Sequence, residues 1–281
     1  MNTSMNVPMN ATMQTATNAP VEPSRALNRA ASIWYLVTAA GMWLFVYYIV
    51  GFYYAPTLTG DFGAWNANPM LPNPYLPDNT PWNLMFAAHV LLAAVLTLGG
   101  TIQLVPHLRR HALRLHRWNG RVFMISALAM AGGGLGMNIL RLIDDGGRWP
   151  SAVDINGLLI LICVGAAWTS ARREHVEAHR KWALRAFIVV SGVWFLRLGV
   201  STWIIGSAWV NGEPRFVDEF FEIWKWGSFL LPLAVLELYL RTQDNGSRLA
   251  RVLMAALLVV CAVVTAIGVF AAYRVFWAPL L

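Results

Sequence analysis

Seven apolar stretches of roughly bilayer length recur along this chain of 281 residues, at 32–53, 83–105, 121–140, 153–171, 182–206, 224–240 and 249–273. A helix needs about 20 mostly apolar residues to cross about 30 Å of hydrocarbon, and the stretches come close to or meet that length. With 57% hydrophobic and only 12% charged residues, the chain has too little polar surface to cover a water-soluble fold, so it must face lipid. The sequence therefore predicts an all-α, polytopic membrane bundle of seven transmembrane helices. The fourth and sixth stretches are the least apolar, because the fourth holds Asp154 and Asn156 and the sixth holds Lys225 and Glu237. Residues 1–31 read as a disordered cytoplasmic N-terminal tail, rich in Asn, Thr and Pro, and residues 32–281 as one transmembrane domain. The tail lacks the basic start and apolar run of a secretory signal peptide, so the first span is expected to insert the chain.

Basic residues gather in every second gap. Fifteen of the 21 Lys and Arg residues precede span one or follow spans two, four and six, five fall in the opposite gaps, and Arg197 lies inside a span. Positive charge marks the cytoplasmic side, which predicts an N-terminus in the cytoplasm and a C-terminus outside. The net charge of +7 is spread by gap rather than gathered on one face, so it points to insertion into a lipid bilayer and not to nucleic acid. Residues 55–81 contain no Lys or Arg and are expected to lie extended at the outer headgroup level. Cys163 and Cys261 both fall inside spans, which leaves no disulfide framework and no CxxC site.

Two cytoplasmic gaps carry a shared pattern. Leu115 to Ser126 reads LHRWNGRVFMIS and Ala178 to Ser191 reads AHRKWALRAFIVVS, so His116 corresponds to His179, Trp118 to Trp182 and Arg121 to Arg185, with one inserted residue before the second Trp. Spans two to three and four to five then form two related hairpins, expected to build a central four-helix core. Together with His89 in span two, these residues resemble the bacterial membrane family catalogued as domain of unknown function family 2306, over roughly residues 82–206. The resemblance implies a multi-pass protein of a bacterial inner membrane and singles out these residues; it implies no established activity.

Neutral imidazole binds haem iron and is tolerable in apolar surroundings. His116 and His179 enter the bilayer at equivalent positions, where they would face each other across one haem b, with Arg121 and Arg185 pairing its propionates. Such a protein would exchange electrons with a quinone or another carrier. The same motifs also serve as interfacial anchors, and the outer half offers only His89 where two-haem bundles carry a further pair. A second grouping, His89, Arg197, Asn138 and Asp154, with Asn156 beside them, outlines an outer cavity for a small anionic or lipidic ligand of a non-redox carrier or receptor. The alternative there is an Arg197–Asp154 pair tying spans four and five, in a protein whose polar residues only fix helix contacts.

Glu237 sits one turn from Arg241, suited to an i,i+4 pair or to a counter-ion for the inner histidines and arginines. Two His pairs four residues apart, His107 with His111 and His175 with His179, would hold a metal only by joining, and no HExxH glutamate accompanies them, so no metal is expected. Gly132 and Gly136 have GxxxG spacing, which predicts close helix packing. No Walker loop, GxSxG elbow or paired-carboxylate motif appears, so ATP-driven transport, serine hydrolysis and magnesium-dependent prenyl chemistry lack their residues.

Overall fold

The computed structural model describes residues 25–68, 74–145, 151–213 and 218–281, without the side chains of residues 137 and 140–145. The predicted disordered tail lies outside the described residues as far as residue 24, and its last residues, 25–31, are not disordered but open the first helix. All regular structure among the described residues is helical. The principal helices are α1 (Arg25–Ile49), α2 (Ala55–Thr59), α3 (Thr80–Gln103), α4 (Pro106–His111), α5 (Leu113–Asp145), α6 (Ala152–Arg172), α7 (Val176–Val190), α8 (Gly192–Asn211), α9 (Asp218–Asn245) and α10 (Arg248–Ala272). Six helical segments among the described residues are long and apolar enough to cross a membrane: Arg25–Thr59, Thr80–Gln103, Ala152–Arg172, Gly192–Asn211, Asp218–Asn245 and Arg248–Leu280. The predicted third span falls in α5, a 33-residue helix that is not among the six.

Local chemistry fixes the ends of these helices. Asn79 caps α3 by accepting from the Trp82 backbone N–H, Ser247 caps α10 through the Ala250 N–H, and Ser151 opens α6 with a capping box to Asp154. The segment after α1 is not extended as the sequence suggests. It turns through a wide helical turn at Val50–Tyr54 into α2, which ends at Gly60 with φ +79, and then forms a tight helix at Phe62–Ala67. Pro56 fits the first turn of α2, where a missing N–H costs nothing. Beyond it, Trp65 is buried against Tyr53, Phe62, Tyr75 and Phe86. Asn66 and Tyr75 exchange two hydrogen bonds, and so do Asn83 and Leu76. Aromatic burial with amide clasps thus folds a stretch that Pro and Asn content alone reads as irregular.

Helices α1, α3, α5, α6 and α7 are neighbours in that order; α9 lies beside both α7 and α8, α10 beside α8, and α10 returns to α1. Tyr35 and Trp43 of α1 donate to the backbone oxygen and hydroxyl of Thr101 on α3. The largest buried cluster joins Met42, Phe45 and Tyr48 of α1 to Val90 of α3, Trp194 and Leu198 of α8, and Trp277 near the C-terminus. The first and last crossings therefore share the main core with the helices of the two hairpins.

The predicted fifth span is two helices. The helix is interrupted at Ser191, whose hydroxyl donates to the Phe187 carbonyl 2.7 Å away, and Gly192 follows it against Phe229. Ser–Gly pairs are common sites of such breaks. Below the break α7 packs on α6 and α9; above it α8 packs on α9 and α10.

Close packing at glycine occurs elsewhere than expected. A Cβ at Gly199 would collide with the Trp224 ring, one at Gly41 with Val269, and one at Gly100 would come within 3.0 Å of Phe123 and 3.1 Å of Phe187. At Gly132 and Gly136 a Cβ would meet nothing within 4 Å among the described residues, which overturns the close contact predicted from their spacing. The spacing puts two small residues on one helix face, but no described backbone comes against that face.

Candidate functional site

The two histidines of the repeat open onto one cavity. Its volume is about 2240 Å³, and its wall includes His116, His179, Gln103, Arg117 and Arg121 at the inner end. From there it runs between α8, α9 and α10 as far as Trp203, Trp224, Cys261 and Thr265. His116 and His179 lie within electrostatic range of each other, each half-buried.

Their ring nitrogens are held differently. The Nδ1 of His179 lies 2.9 Å from the Ala167 carbonyl of α6, so the ring donates there and Nε2 carries the lone pair. His116 has its Nε2 3.3 Å from the Gln103 side-chain amide, which also donates to the His116 carbonyl at 3.0 Å. The buried Nδ1 of His116 has no hydrogen-bond partner among the described residues. His116 stands at the start of α5, ahead of the predicted third span, and burial, then His179, Arg109 and Arg117, lowers its pKa from the ordinary imidazole value. It is therefore neutral near pH 7, the form that coordinates metals.

Gln103 and Asn119 are site residues that the sequence reading passed over. Asn119 donates to the Gly99 carbonyl and to Gln103 Oε1, both at 2.8 Å, and Gln103 in turn holds His116. Two amides within apolar runs, at the end of span two and inside the HRWNGR motif, were the available signal.

The arginines divide. Arg121 is exposed, with its guanidinium 5.7 Å from the Trp118 ring centre, and it lines the cavity. Arg185 lies 4.7 Å over the Trp182 ring and binds Glu237 through two bonds of 2.6 and 2.9 Å, away from the cavity wall. Glu237 thus belongs to Arg185 rather than to the i,i+4 partner Arg241. Two further links join α7 to α9: Lys181 to Asp244 at 2.6 Å, and Arg180 to Gln243 at 3.4 Å. Arg180 also binds Glu177 at 2.8 Å, and this contact in the first turns of α7 lowers the Glu177 pKa and raises that of Arg180.

His107 and His111 stack on each other at 4.0 Å on exposed α4. Among the described residues no group of three or more His, Cys, Asp or Glu side chains is arranged to hold a metal ion.

The outer set separates into two groups. Asp154 accepts from Asn138 Nδ2 at 2.8 Å, from the Ser151 N–H at 2.8 Å and from the Ser151 hydroxyl at 2.7 Å. Its charge is used to start α6 and to bind α5, so the Arg197–Asp154 pair does not form. Arg197 instead donates to the Val193 carbonyl at 3.3 Å, lies 5.2 Å over the Phe45 ring, and is in electrostatic range of His89, Tyr48 and Tyr53. Buried Asn68 connects the hydroxyls of Tyr48 and Tyr53.

A family described as predicted membrane protein (DUF2306) matches residues 86–240, more than half of the chain, and the chain belongs to that family. No curated protein and no solved structure matches it.

Proposed function

We propose that this DUF2306 chain is a b-type haem electron-transfer protein of the bacterial inner membrane, with His116 and His179 as axial ligands. The observation that carries the reading is that two half-buried imidazoles from the two related hairpins open onto one cavity, each with a ring nitrogen not committed to a backbone group. The donor set fits: His179 is oriented by the Ala167 carbonyl so that Nε2 faces away from that bond, and neutral His116 would offer the Nε2 lone pair that the Gln103 amide now engages. Arg121, with Arg117 beside it, supplies positive charge at the cavity edge for propionates, while Arg185 acts through Glu237 as a brace behind His179. Haem bound here would supply one-electron chemistry, with a quinone or another carrier as partner.

In this reading the chain crosses the membrane seven times with its N-terminus in the cytoplasm, α5 supplying the crossing beyond the six apolar segments. At about 1.5 Å per residue α5 has the length for it, and its basic start lies on the same side as the arginine-rich start of α7. Helices α3, α5, α6 and α7 then form the four-helix unit around the haem.

Purified protein, expressed with ample haem supply, is expected to show a stoichiometric Soret band and sharp bands after dithionite reduction. The band disappears in His116→Ala and His179→Ala and persists in His107→Ala. A folded, colourless protein sinks the proposal. Cavity size favours a second reading in that event, because about 2240 Å³ exceeds the roughly 300–1,000 Å³ of ordinary small-molecule sites and suits a lipidic ligand of a non-redox carrier or receptor.

A further inference from the structure

Arg197 is a cation at membrane depth with no carboxylate among the described residues to balance it. Among the described residues its guanidinium makes one hydrogen bond, to the Val193 carbonyl, which leaves most of its five donors without a protein partner there. The surroundings are aromatic and phenolic: the Phe45 face beneath, and Tyr48 and Tyr53, joined through Asn68, within electrostatic range. His89 comes from α3 to the same place and remains exposed, although it lies about 14 Å along the helix from Thr80. An intramembrane Arg ordinarily faces a partner or a watery space and marks a ligand path.

We infer that Arg197 and His89, backed by Tyr48 and Tyr53, form an oxyanion site in the outer half of the bundle, separate from the inner histidine cavity. Neither Arg197 nor His89 lines that cavity. A charge argument selects the ligand class. A neutral ligand would leave the guanidinium uncompensated in a medium of low dielectric, whereas a carboxylate or phosphate supplies the missing charge and matches the planar donor fork. Phenol hydroxyls and an imidazole N–H add neutral donors around it. The oxyanion is a soluble organic carboxylate or the phosphate of an anionic lipid headgroup. The inference does not rest on the haem reading, since a colourless protein would retain this site.

Isothermal titration calorimetry on the purified full-length protein tests it, with sodium benzoate as the soluble probe, dioctanoyl phosphatidylglycerol as the lipid probe and dioctanoyl phosphatidylcholine as the control without net charge. Saturable binding of at least one anionic probe is expected, weakened at least about tenfold in R197Q and also weakened in H89Q. Benzoate alone assigns a soluble carboxylate, phosphatidylglycerol alone a lipid phosphate, and binding of both assigns the shared chemistry. Should R197Q fail to fold, R197K replaces it, keeping the charge and losing the fork, and the same weakening is expected. Absence of saturable binding to the wild type, or undiminished binding in the folded Arg197 variant, overturns the site.

Discussion

The two copies of the His–Arg–Trp–Arg pattern use the same side chains to tie down different things. In the first copy the ties stay within its own hairpin: Gln103 and Asn119 join α3 to α5 and hold His116. In the second, His179 stays within it on the Ala167 carbonyl of α6, but Arg180, Lys181 and Arg185 leave it to reach Gln243, Asp244 and Glu237 of α9. The residue inserted before the second Trp is Lys181, one of the three ties. Arg117, the counterpart of Arg180, makes no ion pair among the described residues, and Arg121 makes none either. Shared sequence therefore did not dictate a shared role; the helix lying opposite did. The copy with an acidic neighbour became a structural clamp, and the copy without one kept its arginines free at the cavity edge.

The clamp is where the comparison breaks most visibly. Glu237→Gln leaves Arg185 without its carboxylate, and because both side chains are partly exposed, the loss falls between that of surface and buried pairs, about 2 kcal/mol. Thermal unfolding in detergent should show it, while Arg121→Ala changes stability by less than about 0.5 kcal/mol. If the two variants behave alike, the asymmetry is wrong.

Within the first copy, Asn119→Ala strands the Gly99 carbonyl and Gln103 Oε1, which predicts a loss of about 1–2 kcal/mol. It also frees Gln103, so any ligand that reports on His116 should respond to this variant. Ala183, the matching position of the second copy, has no such role, and Ala183→Ser should leave stability nearly unchanged.

A smaller effect separates the Trp–Arg pairs. Trp118 is 65% exposed under Arg121, so Trp118→Leu costs about 0.5 kcal/mol, whereas Trp182 also packs against the buried Phe123 and Cys163 cluster and its replacement costs more. The pair of unfolding temperatures measures the difference.

Acid gives the smallest change. The Glu177 pKa is lowered in the folded protein, so its contribution is fully present above the unfolded carboxylate pKa, near about 4.3, and is lost as pH falls through the folded value. Exposure limits this to below about 1 kcal/mol. Glu177→Gln should remove that part of the acid dependence of unfolding, lowering stability at neutral pH by that amount and leaving the value below the folded pKa almost unaltered.

Composition and apolar run length were enough for the helices. The predicted stretch 153–171 sits inside Ala152–Arg172, and 249–273 nearly coincides with Arg248–Ala272. The family was legible in the histidine motifs. What stayed open or escaped lay across helices. Glu237 could pair with Arg241 or serve the inner cluster that includes Arg185, and it takes Arg185, 52 positions away in sequence. Asp154 was misread although its signal was local: Ser151 three residues earlier is a capping box, which accounts for the acid without any ligand. The break at Ser191 was hidden because hydropathy averages straight through a serine and a glycine.

That break has a mechanical consequence. A continuous helix moves as a rod, so a push at one membrane face arrives at the other. Here α7 is lashed to α9, while α8 is keyed to α9 by Trp224, whose indole donates to the Phe195 and Leu196 carbonyls, and packs on α10. Between them stands one serine. The two segments therefore have separate anchors, α6 for α7 and α10 for α8, with α9 in common, and Ser191 stands where one set of anchors gives way to the other.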